Sequence, residues 1–513
     1  MPGTTDPRPR KTQARDKRAR PSPPKPMEDL HDRISRLISD IDREGLAQAA
    51  DWSDSITRPD FEESAANLAR YLSLRRRDLR PLQRELMALG LSSLGRVESR
   101  VSPALLAVEA TLAGLSGLPA KARPLEEAFF AGERLLDTRT RELFGPSHSS
   151  RPTALLVTCP TEAAVDPEFM LELAKRGVEA VRINCAHDDA DHWERMIRHA
   201  RTAEEKTGHR LKILMDLAGP KIRTGAVLGK KSKARVGLGD VLAVVPPEGF
   251  EDIELKERYS AVECTLPEAL KVVQPGHRLF IDDGEIGTLI EQVEPWGVQA
   301  RVVSVMKKGA RLKPDKGINL PDTDIDVPAL TGQDITDLDF VAHHADGVSF
   351  SFVQSVDDVI VLQKALAERR PHDWQTLSLI LKIETPRAVS NLPDIIVQAA
   401  GRQPAGIMIA RGDLAVEIGF ARLAEMQDEI LWIGEAARVP VIWATQVLEH
   451  FVKKGTHSRG EMTDAAMAAR SECVMLNKGP YLLEAIDMLD TLLERMDGHQ
   501  HKKTPQLRRL QTW

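Results

Sequence analysis

Eight short apolar segments, rich in Val and Ile, recur through the C-terminal two thirds of the chain, and no other feature restricts its fold as strongly. They begin near residues 153 (TALLVTCP), 180 (AVRINCAH), 211 (LKILMDLAG), 347 (GVSFSFV), 377 (LSLILKIE), 405 (AGIMIARGD), 440 (PVIWATQ) and 473 (CVMLN). Continuous apolar runs of this length read as strands buried on both faces, as parallel sheets require. Amphipathic helical stretches separate them at a spacing of about 30 residues, the β-α repeat of a (β/α)8 barrel. Doubly wound sheets share the alternation, but eight near-regular units favour closure. One interval, 211 to 347, is too long by about 100 residues. Within it, residues 226–315 carry their own turn signals (GLGD, PPEG, QPGH, IDDGEIG) and read as a small β domain inserted after the third strand. The expected fold is therefore an α/β TIM barrel built from 148–225 and 316–497, interrupted by that insert.

Upstream the texture is different. Residues 1–26 are rich in Pro, Arg and Lys, with too few large apolar side chains to fold, and read as a disordered basic arm. Residues 27–147 read as an all-α accessory domain. The stretch LHDRISRLISDIDREG places Leu30, Ile34, Leu37, Ile38 and Ile41 on one helix face, with Gly45 as the expected stop. Residues 498–513 read as a basic tail. A net charge of −6 makes no electrostatic case for a nucleic acid or a membrane partner. Four scattered cysteines without CxxC spacing suit a reducing compartment. No apolar run approaches the roughly 18 residues of a membrane span. The expectation is a soluble cytoplasmic protein.

Barrels of this class collect their chemistry where the strands end. Here the second strand ends in Arg182-Ile-Asn184-Cys-Ala-His187 and the third in Asp216-Leu-Ala-Gly-Pro-Lys221-Ile-Arg223. The fourth ends in Ser349-Phe-Ser351, the fifth in Lys382-Ile-Glu384, the sixth in Arg411-Gly412-Asp413 and the seventh in Thr445-Gln446. Any one of these is ordinarily a solvated turn. Together they would crowd charge into one mouth, which is costly without a ligand. Glu384 and Asp413, hard oxygen donors on adjacent strands, suit one Mg²⁺ (or Mn²⁺) that keeps waters and accepts substrate oxygens. Arg182, Arg223 and Lys382 supply positive charge for a phosphoryl group in transfer. The backbone N–H groups of Gly412 and Asp413, at the start of the next helix, suit a carboxylate. The pattern is metal-assisted phosphoryl transfer on a small carboxylate.

At these residues the chain resembles the pyruvate kinase family. The segments LMDLAGPKIRTG, IDDGEIG, KGINLPDTDIDVPALTGQD, LKIE, IARGDLAVEI and VIWATQVLE match that family's motifs in order and spacing, over roughly 151–495. The resemblance implies phosphoryl transfer from phosphoenolpyruvate to ADP. It implies Glu384 and Asp413 as metal ligands, Lys382 at the transferring group, Arg182 at the phosphate and Thr445 near the substrate methylene and carboxylate. The insert would be a mobile lid, with Asp283 and Lys316 facing the nucleotide side and His187 contacting the nucleotide. It leaves a homo-oligomer open.

Four departures stand out. The family's C-terminal domain has no counterpart, and neither has the helical domain in the usual family architecture. At the eighth strand the family reads Ser-Gly-Glu-Thr-Ala-Lys-Gly, whereas this chain has only Asn477-Lys478-Gly479-Pro480. Around the monovalent-cation position, Asn184 and Asp216 remain. However, Ala186 replaces a serine and Leu217 a threonine, and Lys221 stands where K⁺-dependent relatives carry Glu. Lys221 is expected to place a tethered positive charge near Asp216, so that K⁺ is not required. The short eighth loop keeps a second reading open, a regulatory protein that binds phosphoenolpyruvate or nucleotide with weak turnover. A third, a metal-enolate lyase or aldolase, has little use for a nucleotide-facing lid.

Overall fold

The computed structural model describes residues 25–147, 150–229, 234–249, 259–325 and 327–506. The basic arm read at 1–26 lies almost wholly outside them. The eight apolar segments form eight parallel strands: β1 (Ala154–Thr158), β2 (Ala180–Asn184), β3 (Lys212–Asp216), β4 (Gly347–Phe350), β5 (Ser378–Ile383), β6 (Ala405–Ala410), β7 (Val441–Ala444) and β8 (Cys473–Leu476). They pair in sequence and β8 closes on β1, with Ala154 opposite Cys473 and Leu155 opposite Val474. The α/β barrel is thus as expected. Its strands are apolar throughout because one face packs on the surrounding helices and the other fills the barrel interior.

Between β3 and β4 the chain leaves the barrel at Arg223 and returns at Gly317, where the two strands of the connection form a bridge. What lies between is a seven-stranded sheet spanning Thr224–Gly229 to Ile318–Asn319, mostly antiparallel, with an apolar core of its own that includes Leu242, Val262, Leu279 and Ile290. Two thin strands of chain thus join the barrel to a separately cored insert.

The N-terminal helices pack beneath and beside the barrel. Leu30, Ile34, Leu37 and Ile41 are buried, and Ile38 is partly so. The helix does not stop at Gly45; it runs Lys25–Asp51. Gly45 serves a different purpose: a Cβ there would lie 2.7 Å from Arg70 Cγ, so glycine lets the helix Pro59–Arg75 cross closely. Backbone and side-chain bonds then fix this domain to the barrel. Thr57 and Arg58 N–H donate to the Gly401 carbonyl, and Asn67 Nδ2 donates to the Ala436 carbonyl at 2.8 Å. The helix Ala131–Phe144 ends by inserting Leu143 and Phe144 into the barrel floor, against Leu156, Leu214, Ile380, Met408 and Ile442. Gly406 makes room, since a Cβ there would sit 2.6 Å from Leu143 Cδ2.

The segment read as a basic tail is partly structured. Gln500–His501 and Thr504–Pro505 form a hairpin whose Lys502 pairs with Glu472 and whose Lys503 pairs with Glu98. Buried carboxylates on the barrel and the helical domain recruit these two lysines, which a local reading treats as solvated. No described helix is long and apolar enough to cross a membrane, and all four cysteines are free and buried.

Candidate active site

The parity of each strand decides which side chains reach the mouth. Asp216, the last residue of β3, is buried and sits at the centre. Arg182 on the neighbouring β2 donates to its Oδ2 from Nε at 2.8 Å and from Nη2 at 2.5 Å. Lys382 on β5 approaches the same oxygen at 3.3 Å and also Glu384 Oε1 at 3.3 Å. Burial alone would push the Asp216 carboxyl up. Arg182 and Lys382 outweigh it and hold the group at about 2. Lys382 in turn is raised: burial opposes its charge, but Glu384 and Asp216 overcome that. Its remaining polar contact is Ser351 Oγ at 2.7 Å, which itself donates to the Leu217 carbonyl.

Glu384 and Asp413 end adjacent strands. Burial raises Glu384 above its ordinary value, Lys382 opposes the shift, and the nearby Asp413 carboxylate reinforces it. Glu384 Oε2 accepts from the Phe352 amide at 2.5 Å. Asp413 Oδ1 accepts from Lys221 Nζ at 2.7 Å. Two mutually repelling carboxylates, each steadied by an ammonium, form a donor set that a divalent cation fits. Among the described residues no cluster of three or more His, Cys, Asp or Glu could hold a metal. A cation here would therefore draw its remaining ligands from water and substrate.

Two expectations need correction. Lys221 does not place its charge beside Asp216; it crosses from the lid hinge to Asp413, packed so closely over Gly317 that a Cβ there would meet its Cε at 2.9 Å. Asp216 Oδ2 already carries Arg182 and Lys382, while its Oδ1 has no hydrogen-bond partner among the described residues. Nor is the Gly412 amide free, because it donates to Thr445 Oγ1 at 2.8 Å. Thr445 and Gln446 are held in the left-handed region, at φ 63° and 56°. Arg411, the first charge after β6, explains how: it is buried, stacks 4.7 Å from the Trp443 ring centroid, and donates to the Ala444 and Thr445 carbonyls and to Asp464. It braces the mouth without facing it.

The remaining candidates are more dispersed. Arg223 pairs across the hinge with Asp315 at 3.3 Å and does not join the Lys382 group. Lys316 Nζ holds Asp282 at 2.7 Å. Asp283 lies at the tip of a left-handed lid turn, within electrostatic reach of Lys221 and Asp413. Asn184 Oδ1 accepts from the Ala186 amide at 3.1 Å. His187 is lowered by partial burial and then by the Lys478 ammonium. With Arg182, Asn184 and Thr158, these two line a cavity of about 280 Å³ that Lys453 also reaches. Lys453, an exposed lysine of the short helix Glu449–Lys454, carries no sequence signal that marks it. Ser351 is legible as the end of the fourth strand, and Lys478 as part of the short eighth-strand segment.

A family model, the pyruvate kinase barrel domain, matches residues 150–486. The chain belongs to the pyruvate kinase family. A pyruvate kinase of Agrobacterium vitis is 34% identical over 349 residues, covering 66% of this chain and 67% of the relative. One of Thermococcus litoralis is 32% identical, covering 72% and 73%. Pyruvate kinase PKLR of Rattus norvegicus is 31% identical, covering 66% and 59%. As a pyruvate kinase family member the chain belongs among phosphotransferases that generally need a divalent metal. The match spans the barrel and lid, leaving the helical domain outside it.

Proposed function

We propose that this chain transfers the phosphoryl group of phosphoenolpyruvate to ADP, giving pyruvate and ATP. The observation that carries this is the convergence of Arg182, Lys382, Glu384 and Asp413 on one barrel mouth beneath a hinged lid. Glu384 and Asp413 would hold Mg²⁺ or Mn²⁺, which when bound polarises substrate oxygens and offsets enolate charge. Lys382, buried and fully charged, stabilises negative charge on the group in flight. Arg182 anchors the phosphate. Its other guanidinium edge is locked on Asp216, so it is oriented before substrate arrives. Thr445 Oγ1 exchanges its bond with the Gly412 amide for the substrate carboxylate, which then takes up that N–H and the Asp413 N–H. His187, Asp283 and Lys316 face the nucleotide, with Arg223 aligning the hinge. Pyruvate formation measured with and without ADP and divalent metal tests the reading; no ADP-dependent pyruvate would leave the binding-only alternative that the short β8 loop suggests.

K⁺ is not required in this proposal. Ala186 and Leu217 offer no side-chain oxygen, Leu217 is buried in the barrel wall, and Asp216 already carries two cations. Lys221 contributes its charge one ligand further on, at Asp413. Rates in a sodium- and potassium-free buffer with a bulky organic cation should match those with K⁺ added; strong activation by K⁺ would contradict this.

A further inference from the structure

A cavity of about 350 Å³ lies outside the catalytic mouth, behind the lid hinge. One wall is the outgoing connection Pro220–Ile222, another the returning segment Ile318–Thr323, and the third the barrel residues Phe352, Gln354, Thr385 and Pro386. Half of the lining residues are apolar, Ile222, Ile318, Leu320, Pro321, Phe352 and Pro386 among them. Its charged rim is already committed. Asp322 is held by Arg278 at 2.7 Å, Asp324 by Arg387 at 3.3 Å, and Lys221 by Asp413.

Two acceptors are not committed. Asn319 is 5% exposed; its Nδ2 donates to Glu417 Oε1 at 2.9 Å, but its Oδ1 has no partner among the described residues. That oxygen is closed to solvent, so no ligand donor reaches it from the cavity. Glu417 Oε2, beside it, also accepts from no described residue. Glu417 Oε2 is thus the acceptor left open to the cavity, on a carboxylate steadied by the Asn319 amide.

We propose that this cavity is a binding site for a small amphipathic cation, an apolar ring or branched body carrying an amidine or amine. The body lies on the apolar walls and its cationic N–H group donates to Glu417 Oε2. The position gives the ligand a purpose. It touches both connections of the hinge, and Glu417 lies one helical turn below Asp413 on the helix Arg411–Ile418. An occupant therefore resists lid movement without entering the mouth.

Benzamidine is a suitable probe, since its amidinium presents two parallel N–H donors. Calorimetry on the full chain, without phosphoenolpyruvate or nucleotide, reads this site independently of the catalytic proposal. Benzamidine should bind one to one, and benzoate, with the same ring and opposite charge, at least about tenfold more weakly. Glu417→Gln keeps the Asn319 bond and removes the charge, and should weaken benzamidine about tenfold. Gln354→Trp fills the cavity from the barrel side and should abolish binding, with an unchanged melting temperature confirming its fold. Inhibition of turnover should lower kcat and leave the KM for phosphoenolpyruvate unchanged. No binding at millimolar benzamidine, equal affinity for benzoate, indifference to either variant, or inhibition competitive with phosphoenolpyruvate would each overturn the proposal.

Discussion

The centre of the mouth is an electrostatic balance among buried groups, and single residues should reveal it. Lys382 faces Asp216 and Glu384 at 3.3 Å, so its charge is already stabilised before any ligand binds. In the proposed reaction it adds attraction to charge that develops on the transferring group. Lys382→Met should therefore lower kcat by about 10²-fold or more, while phosphoenolpyruvate affinity changes only a few-fold. Single-turnover rates and equilibrium binding separate the two, and a near-normal kcat would remove Lys382 from this role. Asp413→Asn acts on the metal instead. A neutral amide is a weaker ligand for a hard cation, so the Mg²⁺ concentration for half-maximal rate should rise by about tenfold or more. An unchanged Mg²⁺ titration would show that the ligand set is wrong.

At the scale of elements, the turn after β7 depends on a brace that reaches it from β6. Arg411 donates to the Thr445 carbonyl while Asp464 holds the far side of the guanidinium with two bonds, at 2.5 and 2.9 Å. Thr445, Gln446 and Leu448 are all left-handed non-glycine residues, and such a conformation persists only where neighbours over-determine it. Asp464→Ala should lower kcat by about tenfold through a misplaced Thr445, with the Mg²⁺ requirement unaltered; full activity would show that the turn holds itself. This brace also marks the limit of what the sequence makes legible. The eight strands are readable because burial on both faces forces continuous apolar runs, and the lid because its length breaks a regular interval. Lys221, Arg411 and Gly412 are readable as strand-end residues, but their partners Asp413, Asp464 and Thr445 are 192, 53 and 33 positions away. Only closure of the barrel decides which of several nearby carboxylates or hydroxyls each one meets. Gly45 is illegible for a related reason: a glycine that ends a helix and one that admits a crossing helix look alike in one dimension.

For the whole molecule, the helical domain closes the end of the barrel opposite the chemistry. Leu143 and Phe144 are 1% and 0% exposed, and their neighbours are interior-facing residues of the barrel strands. Without them the lowest layer of the barrel would open to water, so the domain is part of the barrel's core. Phe144→Ala leaves a cavity in that layer and should cost about 3–5 kcal/mol. In a protein of this size that corresponds to a fall of roughly 3–5 °C in melting temperature. The mouth lies at the other end, built from residues that do not touch Phe144, so kcat measured well below the transition should stay within about twofold. A melting temperature unchanged by the substitution would mean that the floor is sealed by the strands alone. A parallel loss of kcat would instead mean that the helical domain biases the mouth through the barrel, which would give the domain a regulatory role in addition to its structural one.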